Sequence, residues 1–154
     1  NATIFGIDIE EKYLFTDDRI ITNLVNASDR NQLSDFLKNN GGDFDLIIDD
    51  GSHHIVHQQI SLGFLFPFLK QKGIFIVEDI HTSFNNDSMT YWGFDSDYKY
   101  STYNVLKRVE NGDLITSEHM SQSEIAYLNT HINTVNIFDM KKNKKHITCI
   151  IEKK

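Results

Sequence analysis

With 154 residues, 40% of them apolar, the chain can bury one ordinary core, and its single cysteine, Cys149, excludes an internal disulfide and favours the cytoplasm. The net charge of −7 argues against a nucleic-acid partner, because phosphate backbones are bound by clustered lysine and arginine. The lysine cluster at 141–145 fits a solvated turn better than a binding patch. No apolar stretch is long enough to cross a bilayer, so we expect no membrane partner.

The first half of the chain alternates predicted strands and helices. Four strands are predicted from short apolar runs that end in polar residues: 3–9, 20–25, 44–48 and 74–77. Two helices are predicted from apolar residues at helical spacing: 30–39 and 55–69. Ser28 or Asp29 can cap the first helix, and Gly41 and Gly42 end it. This alternation is typical of an α/β domain with parallel strands.

The second half is less regular. Residues 82–103 are rich in polar residues and aromatics, which predicts a long loop. Its aromatic side chains either form a wall of a binding site or take part in ordinary core and loop packing. Its aromatic residues are Phe84, Tyr91, Trp92, Phe94, Tyr98, Tyr100 and Tyr103. Helices are predicted over 103–110 and 121–130, and the strands 134–138 and 146–151 are predicted to form an antiparallel hairpin.

The whole chain, 1–154, therefore predicts one α/β domain with a doubly wound, mostly parallel sheet and a C-terminal antiparallel hairpin. The near-continuous apolar character of 46–48 and 74–77 predicts strands covered by helices on both faces. In such sheets, ligands bind outside the carboxyl ends of the strands. Six polar residues fall at those ends: Asp8, Asn26, Asp49, Asp50, Glu78 and Asp79.

Four carboxylates end two neighbouring strands, and in a partly desolvated cleft they would repel one another without a cation. Oxygen ligands of this kind favour Mg²⁺ as the default ion. For any single acid, capping a helix or facing solvent is the more common role, and it is the two pairs on adjacent strands that favour a metal. His53 follows the tight turn at Gly51 and is the best candidate for a general base. The four acids are Asp49, Asp50, Glu78 and Asp79.

The other histidines receive weaker interpretations. His54 and His57 are expected to be exposed or to cap the helix that starts near them, and His81 is kept only as a contact on the substrate side. Three histidines are distant from the acids in sequence and are assigned no role: His119, His131 and His146.

Four ordered motifs resemble the metal-dependent macrolide-sugar O-methyltransferases of the mycinamicin and demethylmacrocin type. They are DLIIDDGSH at 45–53, LFP at 65–67, KG at 72–73 and IVEDIHTS at 76–83. The resemblance extends over nearly the whole chain, since 6–9 resembles the family's second strand and the closing hairpin its last two strands. Residues 84–133 match only loosely.

The resemblance implies a class I methyltransferase with a Rossmann-like fold, S-adenosylmethionine and Mg²⁺ as cofactors, and a sugar hydroxyl on a small molecule as acceptor. By resemblance, the base would be His53 and the magnesium ligands would be Asp50, Glu78 and Asp79. Asp8 would accept from the ribose hydroxyls, and Asp49 would lie beside the methionine portion of the cofactor. The adenine would be lined by Asn26, Ala27 and Ser28, with Asn26 where the family often has an acid.

One departure from the family concerns the cofactor loop. The chain contains no Gly-x-Gly, so we expect it to begin at the family's second strand and to lack the first strand and the glycine-rich loop. Because the missing strand is central, the sheet must leave a gap, close it directly, or borrow a strand in a homo-oligomer. Two alternatives to the methyltransferase stay open: a metal-dependent hydrolase, and a non-catalytic remnant that keeps the fold.

Overall fold

The computed structural model describes residues 2–84, 98–139 and 146–154. These residues contain seven strands: β1 Ile4–Asp8, β2 Thr16–Asp17, β3 Ile20–Leu24, β4 Phe44–Asp49, β5 Leu69–Val77, β6 Ile132–Asp139 and β7 Ile147–Lys153. They also contain four α-helices: α1 Arg30–Asn40, α2 Ile55–Leu65, α3 Thr102–Glu110 and α4 Gln122–His131. Short 3-10 turns lie at Glu11–Tyr13, Phe66–Phe68, Ile80–Phe84 and Tyr98–Tyr100.

The strands form two separate sheets. One has the order β1-β3-β2, with β1 and β3 parallel, and the other has the order β4-β5-β7-β6, with β4 and β5 parallel and the last two pairs antiparallel. Among the described residues no ladder joins β1 to β4, so the sheet leaves a gap there. The two sheets still touch, because Phe5 of β1 meets Phe44 of β4 edge to face at 6.2 Å.

One face of the second sheet packs against the helices. Phe75, Val77 and Ile151 are fully buried on this face, in one core with Leu62 of α2 and Leu106 of α3. Burying such side chains contributes about 1.5–3 kcal/mol each, so this layer accounts for much of the fold's stability.

The opposite face is open in the described part of the chain. Leu46, Ile48 and Ile74 are 48%, 53% and 37% exposed. The prediction that helices cover both faces of these strands is therefore wrong for the described residues. An apolar run shows that a strand suits burial, but what covers it depends on segments elsewhere.

Helix boundaries follow the capping signals. Asp29 accepts hydrogen bonds from the N–H groups of Asn31 and Gln32, and α1 ends at Gly41, whose φ of 84° favours glycine. Ser121 and Glu124 form a reciprocal capping box at the start of α4. The helix predicted to reach residue 69 stops at Leu65, because Pro67 lies in the 3-10 turn that follows.

The closing hairpin is confirmed: β6 and β7 pair antiparallel from Ile132 with Lys153 to Asp139 with Ile147. Two regions of the sequence analysis, the lysine turn at 141–145 and most of the aromatic loop at 85–97, lie outside the described residues. No described helix is long and apolar enough to cross a membrane.

Candidate functional site

The parallel pairing of β4 and β5 sets the two acid pairs side by side. Asp49 pairs with Val77, and the N–H of Glu78 donates to the Asp49 carbonyl oxygen at 2.9 Å, which continues the ladder past the end of β5. From α2, Nε2 of the fully buried Gln58 donates to the Glu78 carbonyl oxygen at 2.9 Å. The backbone that carries the acids is thus held by one strand and one helix.

Three side chains converge at this edge of the sheet. Asp50, His53 and Asp79 each offer one ligand atom, and these atoms all lie within 4.8 Å of one another. His53 Nε2 lies 3.8 Å from Asp79 Oδ2. Two carboxylates and an imidazole make a donor set that suits a hard divalent cation such as Mg²⁺ or Mn²⁺. The residues present therefore fit the predicted ion.

Two of these residues have backbone conformations that side chains disfavour. The φ angles of His53 and Asp79 are 55° and 51°, in the left-handed region. A non-glycine residue there costs on the order of 1–3 kcal/mol, and such residues cluster at functional sites. Thr82 holds one of them in place, because its Oγ1 donates to the His53 carbonyl oxygen at 2.9 Å.

Glu78 was predicted as a third metal ligand, and the structure does not include its carboxylate in the group formed by Asp50, His53 and Asp79. Its backbone is fixed by Gln58 and Asp49, as described above. The side chain of Glu78 is half-buried at the end of β5. Its role as a ligand stays a prediction.

Asp49 is half-buried at the end of β4, and its Oδ2 atom is shielded from solvent. Burial raises the pKa of its carboxyl above the ordinary value, and the Ser61 hydroxyl, the Gly51 N–H at 3.3 Å and His53 only partly offset this. The predicted position of Asp49 beside the methionine portion of the cofactor is not tested by these contacts.

The predicted capping role of His54 is confirmed. It is the N-cap residue of α2, and its Nδ1 accepts from the Val56 N–H at 3.3 Å. Its ring stacks on His57 at 4.3 Å, and His57 Nδ1 hydrogen-bonds with Ser52 Oγ at 2.8 Å. Burial lowers the pKa of both histidines, so the neutral form that caps the helix is favoured.

Two further histidines meet Asp79 on its other oxygen. Nδ1 of His81 lies 3.3 Å from Asp79 Oδ1, and Nδ1 of His146 lies 4.0 Å from it. The sequence analysis gave His146 no role because it is distant from the acids in sequence. Its proximity follows from the antiparallel pairing of β7 with β5, a register that no local pattern reveals.

The residues predicted to contact the cofactor lie at the ends of the first sheet. Asp8 is the last residue of β1, and its Oδ1 accepts from the Glu10 N–H at 2.8 Å. Asn26 follows β3, and its Oδ1 accepts from the N–H and the hydroxyl of Ser28 at 2.9 and 2.7 Å. Ala27 lies between them in this turn.

The fold and site together define a mixed α/β protein of the Rossmann-like fold class, and comparison with solved structures confirms that fold. The MycE methyltransferase of the mycinamycin pathway, solved with Mg, SAH and mycinamycin VI, aligns with a TM-score of 0.73 at 22% identity. The alignment covers 98% of this chain and 36% of that one. A second crystal form with Mg and SAH aligns equally well at 25% identity, over the same shares of both chains.

Curated relatives name a particular group within that class. The chain is 34% identical over 114 residues to the 8-demethyl-8-alpha-L-rhamnosyl tetracenomycin-C 2'-O-methyltransferase of Streptomyces olivaceus, covering 71% of this chain and 28% of the relative. It is 37% identical over 95 residues to the demethylmacrocin O-methyltransferase of Streptomyces fradiae, covering 61% and 22%. The mycinamicin VI 2''-O-methyltransferase of Micromonospora griseorubida matches at 36% over 81 residues, covering 53% and 20%.

These matches confirm the resemblance to macrolide-sugar O-methyltransferases that the sequence motifs indicated. No family model matches the chain. The chain spans only about a quarter of the length of the curated relatives it matches, from 20% to 28%.

Proposed function

We propose that the chain, over residues 1–154, is the catalytic core of a magnesium-assisted, S-adenosylmethionine-dependent O-methyltransferase acting on a hydroxyl of a sugar or sugar-containing metabolite. The observation that carries the proposal is the convergence of Asp50, His53 and Asp79 within 4.8 Å at the strand ends. The proposal is supported by the similarity of the chain to enzymes that are named as O-methyltransferases. We also propose that the chain lacks their first strand and glycine-rich loop, consistent with the gap between β1 and β4.

In this proposal Asp50, Glu78 and Asp79 hold the magnesium ion. When bound there, the ion lowers the pKa of an acceptor hydroxyl and helps to orient it. His53 takes the hydroxyl proton at Nε2, the nitrogen 3.8 Å from Asp79 Oδ2, and the Asp79 carboxylate stabilises the imidazolium that forms. The hydrogen bond from Thr82 to the His53 carbonyl oxygen fixes the backbone that carries the half-buried His53 ring.

The cofactor residues act by binding and orientation. Asp8 accepts from the ribose hydroxyls of S-adenosylmethionine at the end of β1, and the turn of Asn26, Ala27 and Ser28 lines the adenine at the end of β3. Asp49 lies beside the methionine portion of the cofactor, at the end of β4. Alignment of the methyl donor with the acceptor oxygen supplies much of the rate enhancement in such transfers.

Methyl transfer from radiolabelled S-adenosylmethionine to a rhamnosyl acceptor, together with calorimetry with Mg²⁺ and SAH, tests the proposal. We expect one Mg²⁺ per chain, and transfer that is lost in His53→Asn while Mg²⁺ binding is retained. No divalent-cation binding by the wild-type chain, or binding unchanged in Asp79→Asn, would contradict the proposed site.

The sequence leaves a non-catalytic remnant of the fold open as a second candidate, and calorimetry with Mg²⁺ and SAH separates it from the methyltransferase. For a remnant we expect Mg²⁺ binding without SAH binding or transfer. A metal-dependent hydrolase with two cations about 4 Å apart predicts two metals per chain instead, whereas the described residues contain one group of three ligands.

Two further statements stay predictions. A homo-oligomer that supplies a strand to the gap is checked by light scattering of the purified chain. A cytoplasmic location is suggested only by the free, buried Cys149 and the absence of disulfides in a single-cysteine chain.

A further inference from the structure

Asp79 meets imidazole nitrogens from three separate parts of the chain. Its Oδ2 faces His53 Nε2 at 3.8 Å, whereas its Oδ1 faces His81 Nδ1 at 3.3 Å and His146 Nδ1 at 4.0 Å. The two oxygens of one carboxylate are therefore divided between two sets of neighbours. Only the Oδ2 side includes the residue predicted to be the base.

The Oδ1 side is built by elements that are distant in sequence. His146 precedes β7, and because Val77 pairs antiparallel with Cys149, the start of β7 lies beside the residues that follow β5. His81 belongs to the 3-10 turn Ile80–Phe84 directly after Asp79. The rings of His81 and His146 lie 6.0 Å apart and approach the same oxygen from two elements.

We propose that His81 and His146 are positioning residues for the metal site: their Nδ1 atoms lie at ion-pair distance from Asp79 Oδ1, and these contacts favour the carboxylate orientation in which Oδ2 is presented to the cation. This inference rests on the proposed function, because it assumes that Asp79 ligates a cation. Carboxylates that ligate metals are themselves held by neighbouring donors, and loss of such a partner lowers metal affinity about 10–100-fold. Neither histidine is required as a ligand, since the proposed ligands are the carboxylates of Asp50, Glu78 and Asp79, and His53 is the proposed base.

His146 allows a clean test because its side chain is 57% exposed, so its removal opens no cavity. The variants are His146→Ala, which removes the nitrogen, and His146→Asn, whose amide nitrogen takes the place of Nδ1. His81→Ala and His81→Asn form a second pair, and Thr148→Ala, two residues along the chain in β7, is the control. Calorimetry measures the affinity for Mn²⁺, and thermal melting without metal checks that each variant folds.

We expect His81→Ala, which removes the nearer nitrogen, to weaken Mn²⁺ binding about 10–100-fold, and His146→Ala to weaken it about 2–5-fold, because its contact is longer and exposed. The asparagine variants should restore most of each loss, and Thr148→Ala should bind as the wild type does. Absorption spectra with Co²⁺ should keep their band positions, because His146 acts through Asp79 and does not bind the ion. Unchanged affinity in His146→Ala, no rescue by His146→Asn, or altered Co²⁺ bands would overturn the inference. A wild-type chain that binds no divalent cation would instead remove the metal site itself, and this inference with it.

Discussion

Nε2 of Gln58 donates a hydrogen bond to the Glu78 carbonyl oxygen at 2.9 Å, which joins α2 to the loop that carries both acids after β5. Gln58 is 1% exposed, so no water can readily replace it. Replacing it by leucine leaves the buried carbonyl without its donor, which costs about 1–3 kcal/mol. We expect Gln58→Leu to lower the free energy of unfolding by this amount in urea titrations, and to weaken Mg²⁺ binding because Asp79 is displaced.

Gln71→Leu is the matched control, since Gln71 is exposed in the middle of β5. We expect little change in either the free energy of unfolding or Mg²⁺ affinity. If Gln58→Leu bound Mg²⁺ as the wild type does, the helix would not be positioning the acids.

The carboxylate of Asp79 is predicted to repel Asp50 when no cation is present. Asp79→Asn removes that repulsion and one ligand, so we expect it to abolish the rise in melting temperature that Mg²⁺ produces, while the metal-free chain melts no lower than the wild type. The measurement compares the melting temperature of each protein in MgCl₂ with its melting temperature in EDTA.

Asp45→Asn is the control for this variant, because Asp45 lies in β4 but its side chain is 85% exposed and pairs with Lys70. Mg²⁺ should raise the melting temperature of Asp45→Asn as much as it raises that of the wild type. An equal rise in Asp79→Asn would exclude Asp79 as a ligand.

Lys153 has an unusual buried ammonium group near the end of the chain. The residue is 6% exposed, and its Nζ donates to the carbonyl oxygens of Pro67 and Leu69 at 2.8 and 2.6 Å. Hydrogen bonds to charged groups contribute about 1.5–3 kcal/mol, so we expect Lys153→Met to lower the free energy of unfolding by about that amount in urea. Lys154→Met, at the exposed neighbour, should change it by less than about 0.5 kcal/mol.

Glu124 should give the stability of the fold a measurable pH dependence. Burial raises the pKa of its carboxyl, but hydrogen bonds from Arg30 and the Ser121 N–H lower it more, so the pKa lies below the ordinary 4.5. A carboxyl with a depressed pKa stabilises the folded state above its unfolded pKa, and the contribution is lost as the pH falls through the folded pKa. We expect Glu124→Gln to be less stable at pH 7 and to lose less free energy of unfolding below about pH 4.5.

Urea titrations from pH 7 to pH 3 compare the two proteins. Glu118→Gln serves as the control because Glu118 is exposed. The pH dependence of its free energy of unfolding should follow that of the wild type. If Glu124→Gln and the wild type also gave parallel profiles, the contact of Glu124 with Arg30 would not contribute to the pH dependence of stability.

Local signals predicted much of the element order. Asp29 and Ser121 cap helices as their residue types favour, and the strands at 44–48 and 146–151 were found close to their predicted positions. The two-residue β2 was missed, because a strand of that length has no periodicity to detect. The strand β5 begins at Leu69, earlier than predicted, and its pairing with β4 is irregular between Phe44 and Leu46.

The donors of the candidate site were visible in the sequence because acids and an imidazole followed predicted strand ends. Their grouping was not visible in full: His146 joined the site, and the carboxylate of Glu78 did not enter the three-ligand group. The exposed face of Leu46 and Ile48 was likewise unforeseen, because an apolar run shows what a strand can bury but not what covers it.

By itself, then, the sequence determined which residues can ligate a cation or accept a proton, and where the strands that carry them end, since caps and apolar periods are local properties. Only the tertiary structure decided which of these groups meet. Asp79 and His146 lie far apart along the chain, and they come together because β7 pairs antiparallel with β5. Register and strand order depend on contacts between distant segments, which local patterns do not encode.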